Sequence, residues 1–399
     1  MNYSRVMGAV YIAAAVRTPI GKFGGSLRDL TAADLGIAAV KEALSRSGVE
    51  ASAVDEVIVG HARQAGNGPN LARQVGVRSG IPKEAAAYTV NKACGSGLKA
   101  IMLASNEIRL GNANVIIAAG SESMSRVPYL VDNARWGLRM GNHHLIDGMY
   151  RDGFTCPLAG MTMGDTVDLL AADYKISREE QDEYALESQR RAAAATQSQR
   201  FRSEMLVLEL PGKKGEIKRV EIDEHVRLDI SLADMKKLDP VFSKTGTVTA
   251  GNSSGITDGA AATVLVSEPE LKRSNLKPLA RIVDYASAGV DPRVMGIGPV
   301  PAIRKLFDKT GLKLDDFGLI ELNEAFAAQV LACLREMPMD RAKLNVNGGA
   351  IALGHPIGCT GVRIVTTLLH EMQKRNVRYG LAALCISGGL GLALALEKM

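Results

Sequence analysis

The chain has 399 residues, of which 46% are hydrophobic and 23% are charged. These ordinary values exclude a disordered, collagen-like or disulfide-stapled chain. The formal charge of +5 comes from 48 basic and 43 acidic residues without a long basic run, so a nucleic-acid partner is not indicated. Glycine is frequent, at 41 residues, and aromatic residues make up only 4%. We therefore expect a core of small aliphatic side chains with many tight turns, which favours α/β layering.

The first apolar segment is interpreted as a strand rather than as a targeting signal. Residues 6–16 follow Arg5 and have the small apolar composition of a signal-peptide core. A similar segment at 280–286 occupies the corresponding place in the second half of the chain, so we expect 9–16 to be a buried strand. The uncharged run at 379–396 is interrupted by glycines, which predicts two strands around a turn rather than a membrane helix. A cytoplasmic location is the resulting expectation.

The sequence contains an internal repeat. Residues 43–60 are similar to 306–323, and residues 93–123 are similar to 358–389, at nearly the same separation. In each copy of the second pair, a turn of small residues precedes a helix with apolar residues at helical spacing, and an apolar strand follows. This pattern predicts two similar halves in which strands and helices alternate, with right-handed crossovers and a largely parallel sheet.

The part of the first half that has no counterpart in the second predicts an insertion. We expect an N-terminal half made of 1–121 and 250–275, and a C-terminal half made of 276–399. Residues 122–249 would then form an inserted loop domain, which includes a charged helical stretch at 177–197.

Cys94 is the first candidate for chemistry. It stands in VNKACGSGLKA at a predicted helix start, where free N–H groups and the helix dipole favour a thiolate. A pKa lowered by about two units would raise the ionised fraction of the thiol about 25-fold at neutral pH. A nucleophile is therefore one hypothesis. A small buried cysteine that packs a helix start is the alternative, and it is favoured when the residue is considered alone.

Three further segments place polar residues where α/β sheets collect functional groups, at strand ends and the turns that follow. Asn323 in LIELNEAFAA can donate to an oxyanion or hold a water molecule, and Glu324 can act as an acid, a base or a helix-start charge. His355 precedes Pro356 in the glycine-rich segment NGGAIALGHPIGCTG and is a candidate base. Cys385 in ALCISGGLG ends a strand before a turn whose N–H groups can bind an oxyanion. A backbone-bonded loop histidine and a buried strand cysteine are the alternatives.

Other motifs are absent from the sequence. It contains no GxGxxG, GxxxxGK[ST] or HExxH segment, and its five cysteines are odd in number and lack CxxC spacing. Dinucleotide, nucleoside-triphosphate and zinc sites and a disulfide framework are therefore not indicated.

Taken together, VNKACGSGLKA, NEAFA, GHPIGCTG and CISGGLG closely resemble the thiolase family in their order and separations. AVRTPIGKFGG and GTVTAGNSSGITDGAA extend the resemblance over almost the whole chain. The resemblance implies a duplicated α/β fold layered α/β/α/β/α, with a loop domain inserted in the first half that binds coenzyme A. It also implies a homodimer or homotetramer that acts on small-molecule acyl-CoA substrates, with no metal or redox cofactor and no nucleic-acid or membrane partner.

The resemblance assigns roles to the candidate residues. Cys94 would be the acylated nucleophile, and His355 would activate it. Cys385 would be the acid/base that moves the proton at the α-carbon. Asn323 would hold a water molecule that, with His355, forms the oxyanion hole for the thioester enolate. Forming a carbon–carbon bond between two acyl groups requires one held as an electrophile and one deprotonated, so a nucleophile and a separate base are both needed.

The resemblance also implies backbone and coenzyme A contacts. The turn after Cys385, at Ser387 and Gly388, would supply a second oxyanion hole with N–H groups near Cys94. Ser387 stands where the family usually has glycine, and a serine would be strained there if φ were positive. Thr162 stands where biosynthetic members carry histidine. The positions matching the coenzyme A contacts are Met163, Arg227, Phe242, Ala250, Gly251, Ser254 and Phe326.

Three functions follow from these observations. The motifs, with MGNHHLIDGMYRDGF, resemble short-chain biosynthetic members, which favours reversible condensation of two acetyl-CoA to acetoacetyl-CoA and CoA through acetyl-Cys94. GHPIGCTG, with Cys359, is similar to degradative 3-ketoacyl-CoA thiolases that act on longer chains, which is the alternative. The third and least favoured function is that of an inactive acyl-CoA-binding or scaffold subunit. The presence of the whole catalytic set argues against it.

Overall fold

Strands and helices alternate in both halves of the chain. The computed structural model describes residues 8–212 and 215–399. The strands in these residues are β1 (Val10–Arg17), β2 (Gly21–Lys22), β3 (Glu56–Gly60), β4 (Ala86–Val90), β5 (Val115–Ser123), β6 (Tyr129–Leu130), β7 (Ile146–Asp147), β8 (Thr155–Cys156), β9 (Met161–Thr162), β10 (Leu208–Pro211), β11 (Ile217–Val220), β12 (Thr257–Ser267), β13 (Ala280–Gly289), β14 (Leu319–Leu322), β15 (Tyr379–Ile386) and β16 (Leu390–Lys398). The α-helices are α1 (Ala32–Ser47), α2 (Leu71–Arg78), α3 (Ser96–Leu110), α4 (Met163–Asp173), α5 (Arg178–Gln197), α6 (Leu232–Lys236), α7 (Glu268–Arg273), α8 (Pro299–Thr310), α9 (Ala327–Glu336), α10 (Ala350–Leu353) and α11 (Ile357–Arg375).

The large sheet consists of two half-sheets joined at its centre. Its strand order is β14-β15-β16-β13-β1-β12-β5-β3-β4, with β2 paired to β12. The two half-sheets meet through only two residue pairs between β1 and β13, Tyr11↔Arg281 and Ile12↔Ala280. Outward from this junction, β13, β16, β15 and β14 repeat the arrangement of β1, β12, β5 and β3. The internal repeat predicted from the sequence is therefore confirmed.

The sheet is mixed, so the prediction of a largely parallel sheet is wrong. β3 runs parallel to β4 and β5, and β14 runs parallel to β15. The pairings of β12 with β1 and β5, and those of β16 with β13 and β15, are antiparallel. The reason lies in the strand that completes each half. β16 follows β15 through a tight turn at Gly388 and Gly389, and such a short connection joins only antiparallel neighbours.

Three apolar clusters define the layers. α1 and α2 cover the outer face of the first half-sheet, α8 and α9 cover the outer face of the second, and α3 and α11 lie between the two inner faces. Ile116 and Ile117 of β5 belong to the central and outer clusters respectively, because successive side chains of a strand point to opposite faces. The expected α/β/α/β/α layering is confirmed.

The two central helices approach each other closely at glycine. A Cβ atom on Gly361 would lie 2.1 Å from the backbone nitrogen of Leu98, and one on Gly97 would lie 2.7 Å from the carbonyl oxygen of Gly358. Because the opposing atoms are backbone atoms, they can move away only if a helix shifts. This contact fixes the starts of α3 and α11, and the segments before them, side by side.

We expect Gly361→Ala to lower the free energy of unfolding by about 1–3 kcal/mol, because its methyl group would overpack the contact between the central helices. Urea unfolding followed by circular dichroism measures the loss. Gly76→Ala in α2 is the control, since its Cβ would meet only the side chain of Val57, at 3.2 Å, and we expect it to remain within about 1 kcal/mol of the parent. Equal stability of the two variants would contradict the tight contact.

The segment between β5 and β12 packs on both halves: Leu206, Leu208 and Val220 belong to the outer cluster of the first half, and its helices pack on the second half. α4 contacts α9, and α5 contacts α9 and α10. The helix predicted at 177–197 is confirmed as α5, which begins with a capping box between Ser177 and Glu180. β1 is buried along its whole length, and the run at 379–396 forms β15 and β16, as expected. In the part of the chain that the structure describes, no helix combines the length and apolarity needed to cross a membrane.

Candidate active site

A cavity of about 440 Å³ lies between the two halves and the segment that follows β5. Cys94, His355 and Cys385 all line it. Cys94 precedes α3, His355 precedes α11, and Cys385 lies at the end of β15. The close contact of the two central helices therefore brings residues from both halves to one wall.

The turn before α3 holds Cys94 in a defined position. Ala93 adopts a left-handed conformation with φ of 46°, which is uncommon for a residue with a Cβ atom. Ser96 stabilises the turn, because its hydroxyl donates to the carbonyl oxygen of Ala93 (2.7 Å) and accepts from the N–H of Lys92 (2.8 Å). A Cβ atom at Gly95 would lie 2.4 Å from Ile386. The turn therefore packs directly against the end of β15.

The thiol of Cys94 is protonated at neutral pH in this environment. Burial raises its pKa above the ordinary value, and this outweighs the opposite effects of the Ser387 N–H, the Arg63 charge and its own N–H. The lowered pKa expected from a helix start is wrong. Cys94 lies before the first turn of α3, and it is only partly exposed to the cavity. A nucleophilic role consequently requires a base.

His355 provides a base in the required form. Its Nδ1 lies 2.6 Å from the hydroxyl of Thr360, and that hydroxyl donates to the carbonyl oxygen of Pro356 at 3.0 Å. Nδ1 therefore carries the hydrogen, and Nε2, which has no partner among the described residues, presents its lone pair. Burial, reinforced by the charges of Arg363 and Arg63, lowers the pKa of His355 to about 3. The imidazole is thus neutral throughout the physiological range.

We expect Thr360→Val to slow acyl transfer to the enzyme about 10- to 100-fold, because the ring loses the acceptor that fixes its tautomer and orientation. Single-turnover mass spectrometry of the acylated protein measures the rate constant. Thr366→Val is the matched control, since it removes a hydroxyl of the same helix that bonds only to the carbonyl oxygen of Val362. A similar loss in both variants would show that the effect is not specific to His355.

The pH dependence of acylation should show no histidine titration. A base with a pKa of about 3 stays unprotonated as the pH falls through the ordinary histidine range near 6.5. We therefore expect the single-turnover acylation rate constant to stay level between about pH 5 and pH 7. A fall in the rate constant centred near pH 6.5 would contradict the lowered pKa of His355.

Cys385 lies opposite Cys94 at the end of β15. It is buried, and burial raises the pKa of its thiol well above the ordinary value; ionisation of Cys94 would raise it further. The N–H of Ser387 points to the sulfur of Cys94. In this turn the residues with positive φ are Gly388 and Gly389. Ser387 does not have a positive φ, so the backbone strain considered for it does not occur. Ser387 lines the cavity, whereas Gly388 is not among its lining residues.

The two residues after β14 have different environments. Asn323 is buried, and neither its amide nitrogen nor its amide oxygen has a partner among the described residues. Such groups are rare in protein interiors unless they bind something. Glu324, in contrast, accepts hydrogen bonds from the hydroxyls of Tyr184 (3.0 Å) and Ser188 (2.6 Å). These bonds hold the Glu324 carboxylate in a polar network, which favours a structural role over an acid or base.

Most of the residues matched to coenzyme A contacts line the same cavity. They are Met163, Arg227, Phe242, Ala250, Ser254 and Phe326. Gly251 does not line it, because its α-carbon faces Leu238 and Met235 instead. Thr162 is also outside the lining, since its side chain forms a capping box with Asp165 at the start of α4.

Several residues that line the cavity were not predicted from the sequence. Arg63, His225 and Met295 line the cavity but lie in segments without a recognisable motif. Tyr150 and Phe154 also line it, and they lie in MGNHHLIDGMYRDGF, from which no individual residue was selected. One signal was present for Arg63, because it follows the buried strand β3 at its carboxyl end, where functional groups collect.

Glu122, at the end of β5, ties this region together. Its buried carboxylate accepts from the N–H groups of Ala62 (2.9 Å) and Gly358 (2.8 Å) and pairs with His61 at 2.8 Å. Burial opposes both charges, yet the pair keeps the pKa of Glu122 below and that of His61 above the usual range. The turn after β3 is thereby joined to the start of α11. No group of side chains that could hold a metal ion occurs in residues 8–212 and 215–399.

Comparison with known proteins identifies the family. A model of "Thiolase, N-terminal domain" matches residues 10–269, and one of "Thiolase, C-terminal domain" matches residues 276–398. An acetyl-CoA acetyltransferase of Syntrophomonas wolfei is 50% identical over 394 residues, which cover 98% of this chain and 99% of the relative.

Solved structures give the same result. The Bacillus anthracis acetyl-CoA acetyltransferase superimposes with a TM-score of 0.97 and 45% identity, covering 99% of this chain and 100% of that one. Human mitochondrial 3-ketoacyl-CoA thiolase in complex with CoA superimposes with a TM-score of 0.95 and 45% identity, covering 99% of both chains.

Proposed function

This chain belongs to the thiolase family, and we propose that it is an acetyl-CoA C-acetyltransferase. It would condense two molecules of acetyl-CoA to acetoacetyl-CoA and CoA, and catalyse the reverse thiolysis. The observation that carries the proposal is the single cavity lined by two thiols and an imidazole with a free Nε2. The names of relatives at up to 50% identity support the acetyl specificity.

The first half-reaction acylates Cys94. Nε2 of His355 accepts the thiol proton as the sulfur attacks the thioester carbonyl of acetyl-CoA. The N–H groups of Cys94 and Ser387 stabilise the oxyanion of the tetrahedral intermediate. The C–S bond to CoA then breaks, and the departing CoA thiolate takes the proton of Cys385. This leaves acetyl-Cys94, a protonated His355 and a Cys385 thiolate.

The second half-reaction forms the carbon–carbon bond. The Cys385 thiolate takes a proton from the α-carbon of a second acetyl-CoA. Protonated His355, together with a water molecule held by the unpartnered amide of Asn323, stabilises the enolate oxygen. The enolate attacks the carbonyl carbon of acetyl-Cys94, and the C–S bond to Cys94 breaks. Cys94 recovers its proton from His355, so every group returns to its starting state.

Thiolysis of acetoacetyl-CoA tests this function. Incubation with CoA should consume the ketothioester, followed by its absorbance, and should produce acetyl-CoA. Absence of turnover, under conditions in which a control thiolase works, would overturn the proposal and favour an inactive acyl-CoA-binding or scaffold subunit.

A degradative 3-ketoacyl-CoA thiolase is the second candidate, favoured by the likeness to the human mitochondrial enzyme. A series of 3-ketoacyl-CoA substrates from four to ten carbons separates the two functions. Values of kcat/KM that are highest at four carbons support the acetyltransferase. A steady rise toward ten carbons would support the degradative enzyme.

We also propose that residues 122–249 form the inserted domain that binds coenzyme A. Met163, Arg227 and Phe242 of this segment line the cavity, and Arg227 supplies a cation for a phosphate or the adenine end.

We propose further that the chain is a cytoplasmic homodimer or homotetramer. β4 is the outer strand of its half-sheet and is partly exposed, so its free edge suits a second copy. Light scattering on the purified protein measures the mass.

A further inference from the structure

Arg63 is a buried cation in the cavity wall that forms no ion pair with any carboxylate of the described residues. It is only 6% exposed and lines the cavity together with Cys94. Its Nη1 donates to the carbonyl oxygen of Asp152 at 3.0 Å, and its Nε has no partner among the described residues. No carboxylate in that part of the chain forms an ion pair with it. A buried guanidinium is stabilised by paired charge and hydrogen bonds, and here that pairing is incomplete.

The carboxylate that contacts the backbone of Arg63 already has other hydrogen-bond partners. Glu122 accepts from the backbone N–H groups of Ala62, Arg63 and Gly358 and pairs with His61 at 2.8 Å. Its oxygens are therefore occupied by three backbone donors and by the His61 ring. The guanidinium of Arg63 acts on Glu122 only through space and forms no ion pair with it in the described part of the chain.

Arg63 lies on the side of the cavity where the acyl group on Cys94 would be. Its guanidinium packs on Gly153, since a Cβ atom there would be 2.3 Å from Nη2. Neighbouring Ala62 belongs to an apolar cluster that contacts Cys94 and Phe154 and includes Met124, Met149 and Ile357.

Three of the residues matched to coenzyme A lie in a different cluster. Met163, Phe242 and Phe326 pack with Cys385 rather than with Ala62. Arg63 is also close enough to Cys94 and His355 for its charge to act on both. The unpaired cation is therefore placed at the acyl flank of the cavity and away from the flank expected to hold the coenzyme.

We propose that Arg63 selects acyl groups that end in a carboxylate, so that the substrates include CoA thioesters of dicarboxylic acids and their 3-oxo derivatives. The planar guanidinium can form two parallel hydrogen bonds to such a carboxylate. The apolar side chains of Met124 and Ile357 suit the methylene groups between the two ends of the acyl chain. This inference rests on the proposed function, because it uses the same cavity and the same acylated Cys94.

The thiolysis of a 3-oxo substrate of this class balances with the groups already described. The Cys94 sulfur attacks the 3-oxo carbon, and His355 accepts its proton. The bond between carbons 2 and 3 breaks, and Cys385 protonates carbon 2 to release acetyl-CoA. The carboxylate-bearing acyl group stays on Cys94 beside Arg63 until CoA gives its thiol proton to the Cys385 thiolate and its sulfur attacks the acyl carbon. The bond from that carbon to the Cys94 sulfur then breaks, Cys94 recovers its proton from His355, and the dicarboxylic acyl-CoA is released.

A matched pair of substrates tests the proposal. 3-Oxoadipyl-CoA and 3-oxohexanoyl-CoA have the same six-carbon chain and differ only in a terminal carboxylate or methyl group. We expect the parent enzyme to favour the carboxylate substrate in kcat/KM. Arg63→Met should lower the ratio of the two kcat/KM values about 10- to 100-fold, and Arg63→Lys should restore part of it. The ratio cancels any loss that affects both substrates.

Arg227→Met is the matched control, because Arg227 lines the same cavity within the segment expected to bind coenzyme A. It should lower kcat/KM for both substrates by the same factor and leave the ratio of the two values unchanged. An unchanged ratio in Arg63→Met, with activity on either substrate retained in the parent, would overturn the selection by Arg63. That result would instead assign Arg63 to the coenzyme or to Cys94. Absence of turnover of acetoacetyl-CoA by the parent would refute the proposed function itself.

Discussion

Replacing Cys94 with alanine should reduce thiolysis of acetoacetyl-CoA by about 10,000-fold or more, because the acyl-enzyme can no longer form. No other cysteine can substitute for it. Cys385 lines the cavity, but its thiol has a strongly raised pKa and serves the α-carbon in our mechanism. Steady-state thiolysis measures the loss, and circular dichroism confirms that the variant is folded.

Peptide mapping after brief exposure to acetyl-CoA identifies the acylated atom independently of turnover. We expect an acetyl group on Cys94 in the parent protein and none in Cys94→Ala. Cys359→Ala is the control, since Cys359 is buried in the central apolar cluster and burial raises its pKa to about 12. It should retain both label and activity. Acetyl label on another residue would overturn the assignment of the nucleophile.

The layers of this fold were predictable because they depend on local periodicity. The spacing of apolar residues in 93–123 and 358–389 specifies two helices that each bury a face, and the duplication places them symmetrically. Strand direction was not predictable in the same way. Whether β12 and β16 run parallel or antiparallel to their neighbours depends on how the chain returns to the sheet, which helical and strand periods do not encode.

The candidate site, too, could be predicted from the sequence only in part. Cys94, His355 and Cys385 stand in glycine-rich segments whose sequence signals a turn at a strand or helix end, so they could be selected from the sequence. The direction of the pKa shift of Cys94 could not be predicted from the sequence, because it depends on burial by the other half of the chain and by the segment after β5. Arg63 was missed because an isolated arginine after a strand is ordinarily a solvated residue.

The pKa of Cys94 is raised rather than lowered, and this affects the mechanism. A thiolate and an imidazolium would form an ion pair at rest, whereas this cavity keeps both Cys94 and His355 neutral. The proton must therefore move as the sulfur attacks. Charge then develops only when the acyl carbonyl is present to receive it, and the Ser387 N–H is already positioned near the sulfur.

Replacing Cys385 with alanine should separate the two half-reactions. We expect condensation, and exchange of the α-protons of acetyl-CoA with deuterated solvent, to fall about 100- to 10,000-fold, because the acid/base at the α-carbon is lost. Acetylation of Cys94 should be reduced far less, since the departing CoA thiolate can be protonated by water. Mass spectrometry of acetyl-CoA in D2O measures exchange, and the intact mass of the protein measures acylation.

Cys333→Ala is the matched control for this experiment. Cys333 lies close enough to Cys385 to influence its pKa, yet it is buried against the carbonyl oxygen of Gly296 and is not among the residues that line the cavity. It should exchange α-protons at nearly the parent rate, because it has no access to the substrate. If Cys385→Ala lost acylation and exchange to the same extent, Cys385 would be needed for the cavity as a whole rather than for the α-carbon. Retained exchange in Cys385→Ala would instead require another base, and His355, with its free Nε2, is the candidate that the geometry offers.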